Sequence, residues 1–406
     1  MVHIACNQTD WDNQSHRETR PVCHTCLTSG QAIGLSFSTQ SGSISLAFVL
    51  VLFCVVGVKY SGATSRRGEL FKSLSVFMLN LFISELLMSL GGIFDGKWAH
   101  EAQVYCGGYC DAQASLQFLG ETSVSIWTLA VTVHTLFSVV RARRVNLRPL
   151  YTFGIVAAVW IYVLAFNFGA YASVNAQGDE DPANLFAPTP FWCWFGPAHK
   201  GKGYAEYIWL WIAGVGNIVV YVPLFLLLRG HIVLGSEGLL SAEWHSTPLP
   251  PRSERTGDSA SDLSIATGED SEAAREDCWK MLYYPLAYTI LVLPLSVVRW
   301  MAFANPDLDA LTMAPLGTAT MVFHALYRLS GVINVVLVLG TRPNVLLLGK
   351  RDRDEDEEED AHGAGGERNA NDGNGLRHRA NAAQPTDGSD STGFGGPAVN
   401  LDRDEK

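Results

Sequence analysis

The sequence predicts an all-α membrane protein: a seven-transmembrane helix bundle with its N-terminus outside and a disordered third cytoplasmic loop and C-terminal tail. Three observations carry this. First, 48% of the 406 residues are hydrophobic and mean hydropathy is positive, although the final stretch is strongly polar. Second, the apolar residues fall into seven long runs, near 38–59, 73–95, 112–140, 151–173, 204–229, 279–303 and 313–340. Each is close to the roughly 20 helical residues that cross a hydrocarbon layer about 30 Å thick. Third, cationic residues gather beside alternate ends of these runs, at Lys59, Arg66, Arg67 and Lys72, at Arg141, Arg143, Arg144 and Arg148, and at Arg342, Lys350, Arg351 and Arg353. Such clusters mark the cytoplasmic side.

Residues 1–37 are read as a short polar outer segment. Its two glycosylation sequons, at Asn7 and Asn13, agree with that side. Residues 38–229 carry the first five crossings. The third, CDAQASLQFLGETSVSIWTLAVTVHTLFSVVRARR, organises the rest. As a helix it lines up Cys110, Gln117, Glu121, Ser125, Thr128, Thr132 and Thr135 on one face, with apolar residues elsewhere. A membrane helix turns such a stripe toward its neighbours and shows lipid the remainder. In the second crossing Glu85 sits near the midplane. The fourth carries Trp160 and Asn167, and an outer loop follows with the aromatic knot Phe191-Trp192-Cys193-Trp194-Phe195. Aromatic rings of this kind rest on headgroups or roof a cavity.

Residues 230–277 are rich in Ser, Thr, Glu, Gly and Pro, and no hydrophobic period runs through them, so disorder is expected. Residues 278–345 hold the last two crossings. Pro285 and Pro294 fall in the sixth, where a proline removes a backbone donor and bends a helix, making them candidate hinges. The tail, 346–406, is acidic and then rich in Gly, Asn and Ala. Its run from Asp354 to Asp360 supplies much of the net charge of −11.

Of the eight cysteines, Cys6, Cys23, Cys26, Cys106, Cys110 and Cys193 fall on the oxidising side, where disulfides form. The favoured bridge is Cys110 to Cys193. Cys23-His24-Thr25-Cys26 lacks a second ligand pair and is read as disulfide chemistry, not as a metal site.

Ionisable groups inside a membrane need partners, since each costs about 2.5–3.5 kcal/mol at the centre of a helix. Glu85, Glu121, His134, Glu206, His324 and Arg328 are such groups. Glu85 and Arg328 lie at similar depths on helices adjacent in a sequentially wound ring and are expected to pair, with Glu121 as the alternative. His134 and His324 form no HxxxH or HExxH pattern, so hydrolytic metal chemistry is not expected. The seventh crossing has no lysine for a retinal Schiff base. No enzyme activity and no cofactor are expected. A transporter is the alternative, although matching broken helices in two repeats are not seen.

Several motifs resemble the fungal G-protein-coupled receptors of the glucose-sensing and cAMP-receptor-like group. They are the third-crossing Cys, Gln and Trp127-Thr128-Leu129-Ala130 with His134-Thr135, then Phe191-Trp192-Cys193-Trp194 and Tyr221-Val222-Pro223-Leu224. Tyr284-Pro285-Leu286-Ala287-Tyr288, Leu293-Pro294-Leu295 with Arg299-Trp300, Gly331-Val332-Ile333-Asn334 and Thr341-Arg342 complete the set. The likeness spans about 40–230 and 278–345. It implies a plasma-membrane receptor for an extracellular small molecule, acting through a heterotrimeric G protein on cAMP and protein kinase A. Ser138-Val139-Val140-Arg141 stands where rhodopsin-like receptors carry an acidic-Arg-aromatic triplet, so the inner lock of that class does not transfer.

On this reading the ligand touches Gln117, Glu121 and Ser125, with Trp192, Trp194, Trp209 and Tyr288 completing the pocket. Arg141, Arg143, Arg144 and Arg229 edge the cleft that accepts Gα. The expected partners are the bilayer, the ligand and Gα, with no nucleic acid; dimerisation is left open. The orientation is checked by expression in a eukaryotic membrane. Wild type should shift in mass on glycosidase treatment, and the Asn7→Gln/Asn13→Gln double variant should not.

Overall fold

The computed structural model describes residues 6, 23–62, 66–140, 147–176, 185–196, 199–228, 232–235, 238–244, 283–304, 310–341 and 346. All belong to the unit Met1–Lys350. The second unit, Arg351–Lys406, and with it nearly all of the predicted tail, lies outside the described residues.

The first helix, α1 (Ser29–Gly62), starts well before the apolar run expected at 38. A reciprocal cap explains the early start: the Thr28 amide donates to Gln31 Oε1 (2.9 Å) and the Gln31 amide to Thr28 Oγ1 (3.4 Å). This is the T-x-x-Q capping box, which satisfies donors that a helix terminus leaves open. Helix thus begins inside the segment assigned to 1–37. Before it, strand β1 (His24–Cys26) pairs antiparallel with β2 (Gln103–Tyr105). Helices α2 (Ser73–Ile93) and α3 (Asp95–Glu101) lie between them in sequence.

Next come α4 (Gly108–Val140) and α5 (Pro149–Ala176), then a small hairpin of β3 (Phe186–Pro188) and β4 (Cys193–Phe195), then α6 (Lys200–Leu228). The last long helices are α7 (Tyr283–Ala304), α8 (Ala310–Tyr327) and α9 (Ser330–Thr341). Neighbours pack in sequence: α1 on α2, α2 on α4, α4 on α5 and α6, and α6 on α7. The α8–α9 pair then contacts both α7 and α1. Helix α4 also meets α7, so it packs against α2, α5, α6 and α7.

Among the described residues, five helical spans are long and apolar enough to cross a membrane: Ser29–Gly62, Ser73–Glu101, Pro149–Ser173, Gly201–Leu226 and Leu316–Gly340. The sixth predicted crossing supplies a shorter apolar stretch, Leu286–Met301. The third, α4, falls below that apolarity because it is the central helix: Gln113, Gln117, Glu121, Thr122, Ser125, Thr128 and Thr132 are all buried. The packing is inside out relative to a water-soluble core. Ile161 and Phe168 on α5, Ile212 and Val219 on α6, and Ile290 and Val297 on α7 all point outward. Large apolar faces of this kind are covered by lipid or by partners.

Two elements differ from expectation. Within 230–277, Ile232–Gly235 and Gly238–Trp244 form an antiparallel hairpin, β5–β6, with Ile232 opposite Trp244. Composition over the whole loop hid this local pair of apolar runs; 245–277 lies outside the described residues. The seventh predicted helix is also interrupted at Arg328–Leu329, where the Leu329 amide turns back to Leu326 O (3.1 Å). Ser45 on α1 donates its hydroxyl to Arg328 O at 2.6 Å, so the break does not bury an orphan acceptor.

The polar interior requires close helix approach, and glycine permits it. A Cβ at Gly120 would stand 2.5 Å from the Met88 amide nitrogen and 2.7 Å from its Cα. These are backbone atoms of α2 and cannot rotate away. Gly120→Leu is therefore expected to destabilise the protein by about 3 kcal/mol or more, read as a lower melting temperature in detergent. Gly57→Leu, where the same test finds open space, should leave it unchanged.

Candidate functional site

Helices α2, α4 and α8–α9 bring the buried charges together. Arg328 has no exposed surface; its Nη1 donates to Met88 O (2.8 Å) and its Nη2 lies 3.4 Å from Glu121 Oε1. The expected Glu85–Arg328 pair does not form. Glu85 instead accepts from Ser330 Oγ (2.8 Å) and Asn334 Nδ2 (2.6 Å), which stand four apart on one face of α9. The reason is the path of the arginine. It runs across Gly92, whose Cβ would meet Arg328 Cδ at 3.1 Å, two turns from Glu85 and toward the disulfide-bearing end. Glu121, the alternative partner, holds it there.

A second cluster centres on Asp95, at the start of α3. It accepts from Ser38 Oγ (2.7 Å) and from Gln113 Nε2 (2.6 Å), and His324 Nδ1 lies 4.0 Å away. Ser38 also contacts His324 Nδ1 at 3.1 Å. Gln113 Oε1 accepts from Trp98 Nε1 (2.7 Å) and from the backbone amide of Cys193 (3.2 Å). One glutamine thus ties the acid, an outer tryptophan and the β3–β4 hairpin to α4. Beside this cluster an open groove of about 490 Å³ is lined by Ser36, Thr39, Gln40, Gly96, Ala99 and His100.

The hairpin forms a roof. Cys193 is bonded to Cys110 at the start of α4; Cys23–Cys106 staples the β1–β2 pair, and Cys6–Cys26 ties Cys6 to β1. The two cysteines of Cys23-His24-Thr25-Cys26 therefore go to different partners. On either side of Cys193, Trp192 and Trp194 point inward and are almost fully buried. Trp192 stacks on His324 with ring centres 4.0 Å apart and planes 11° from parallel. Trp194 packs over Gly203, where any Cβ would collide with its ring, and donates to Glu206 Oε2 at 3.0 Å. The Arg299 guanidinium lies over three rings, Trp192 (5.1 Å), Trp194 (5.0 Å) and Tyr207 (5.5 Å).

Of the residues expected to meet a ligand, Gln117, Glu121, Ser125, Trp192, Trp194 and Tyr288 are all buried in this interior. Tyr288 donates to Ser125 Oγ (2.7 Å), which itself donates to Glu121 O (2.7 Å). Gln117 Nε2 donates no hydrogen bond among the described residues. Trp209 stands elsewhere, edge-on to Tyr162 of α5 at 5.8 Å. Pro294 lies inside α7, whereas Pro285 is the third described residue of that helix. His134 contacts Ser73 Oγ (3.0 Å) and belongs to the opposite end. Arg141, Arg143, Arg144, Arg229, Asn7 and Asn13 lie outside the described residues.

Sequence reasoning missed Asp95, Gln113 and Arg299 as site residues. Gln113 carried a usable signal, since it continues the step-of-four series Gln117, Glu121, Ser125. Arg299 carried one too, as a cation in an apolar run. Asp95 is the last residue of the run at 73–95 and was given no role there.

Comparison of the chain with protein-family models and with curated proteins found no match.

The reassigned charge pair is checked by double-mutant cycles on thermal stability. The Arg328→Met/Glu121→Gln cycle should show a coupling of about 1–3 kcal/mol. The Arg328→Met/Glu85→Gln cycle should show a clearly smaller one.

Proposed function

We propose that the chain is a plasma-membrane receptor crossing the bilayer seven times, N-terminus outside. In this reading it senses a small extracellular molecule and activates a heterotrimeric G protein. The observation that carries this is the continuous polar core beneath a disulfide-pinned roof. From the Cys193 amide it runs through Gln113 to Asp95. Deeper in, Arg328 bridges α2 and α4, and Glu85 receives α9. The apolar outer faces support a lipid setting, and the resemblance of the third, fifth, sixth and seventh crossings supports the receptor class.

A ligand acts in this scheme only through its different affinity for two states. Reaching the inner stripe requires Trp192 and Trp194 to move. Trp192 lies on His324 and under Arg299, so its displacement changes contacts on α8 and α7 together. Helix α7 carries Pro294 one turn below Arg299 and is the element free to swing about it. Movement at its opposite end opens the face to which the arginines at 141, 143, 144 and 229 are assigned, for a Gα helix. The downstream output implied by the resemblance is cAMP and protein kinase A.

One observation favours transport as a second reading: the last helix is broken beside a buried arginine, as discontinuous helices are at transporter sites. A single reconstitution separates the two. Purified protein in lipid vesicles with Gα, challenged with a panel of sugars, amino acids and nucleotides, should accelerate nucleotide exchange without net uptake of labelled solute. Uptake without exchange establishes the transporter and removes the receptor.

A further inference from the structure

Arg299 occupies an aromatic cage. Its guanidinium meets Trp192, Trp194 and Tyr207 at 5.0 to 5.5 Å, and these rings come from the roof and α6 while the arginine comes from α7. All three rings are nearly closed to solvent. Such cages are how proteins hold organic cations, because the ring faces attract positive charge and the desolvated setting strengthens the attraction.

A further observation points to a positive guest. Glu206, 1% exposed, uses Oε2 to hold Trp194, while its Oε1 is buried and has no hydrogen-bond donor among the described residues. Its carboxyl lies against that of Glu121, and two carboxyl groups so close, beside three ring faces, favour a cation and disfavour an anion.

We propose that Trp192, Trp194, Tyr207 and Glu206 form a binding site for a small organic cation, a guanidinium or a primary amine, and that Arg299 is its internal occupant in this state. An external cation takes the place of the Arg299 side chain, which then leaves the two roof tryptophans. This rests on the receptor reading only for the side from which the cation arrives. A tethered occupant competes at an effective concentration of roughly millimolar, so an external cation binds better once the tether is shortened.

The test uses the purified full-length protein, without G protein, titrated with ethylguanidinium and followed by tryptophan fluorescence and melting temperature. Sodium chloride at equal ionic strength is the control. Arg299→Ala should bind ethylguanidinium saturably, at least about tenfold more tightly than wild type, and regain melting temperature on binding. Glu206→Gln should weaken binding in either background. If Arg299→Ala fails to fold, the wild-type titration and its Glu206→Gln counterpart decide. No saturable response in Arg299→Ala, or in wild type where that variant is lost, overturns the proposal; so does binding to the variant with none to wild type. Because binding is read directly and without Gα, the site stands or falls in this titration, and the receptor reading stands or falls separately in the nucleotide-exchange assay.

Discussion

A guanidinium sealed from water sets the terms for this molecule. Arg328 is wholly buried, and its neighbours are arranged around that fact: the Met88 carbonyl, the Glu121 carboxylate and a glycine at 92 that lets the side chain pass. An unpaired charge in such a place is prohibitive, so the helices supplying its partners must approach closely and in one register. Gly120 against Met88 and Gly91 against Gln117 bring α2 and α4 to that distance. The break beside Arg328 belongs to the same arrangement, since Ser45 takes the carbonyl that the interrupted ladder releases.

The roof is held by different means at different points. A disulfide ties Cys193 to α4, and the amide of the same residue donates to Gln113. The flanking tryptophan side chains have no covalent tie and meet rings and charged groups: Trp192 meets His324, Trp194 donates to Glu206, and both face Arg299. The covalent tie fixes where the hairpin sits. The cation–π contacts are each worth on the order of 1 kcal/mol or somewhat more when desolvated, which leaves the tryptophans able to exchange partners while the hairpin stays attached. A pinned backbone with releasable side chains is what the proposed cation site requires.

Much of this was legible before any coordinates. The polar stripe on 112–140 marks a central, largely buried helix, because Gln, Glu, Ser and Thr at helical spacing have to face protein when the rest of the surface is apolar. Glu121, Ser125 and Tyr288 were assigned together from their places on the crossings, and Ser125 and Tyr288 meet through a hydrogen bond. Trp209 shows where such reasoning stops. Its position in sequence is close to that of Glu206 and Tyr207, but helical rotation turns it toward Tyr162.

The sequence alone determined the helical class, the approximate positions of the long helices, the central role of α4 and most of the buried ionisable residues, Asp95 and Arg299 excepted. All of these follow from local periodicity and the cost of burying polar groups. Only the tertiary structure decided who pairs with whom. Arg328 reaches Glu121 and not Glu85 because a long side chain can run several ångströms along its helix, and a glycine on a neighbouring helix chooses the direction. Asp95 becomes a hub because a short helix folds it back against residues 57 positions before it and 18 after it in sequence. Contacts across such separations depend on helix rotation and approach, and no one-dimensional pattern records either.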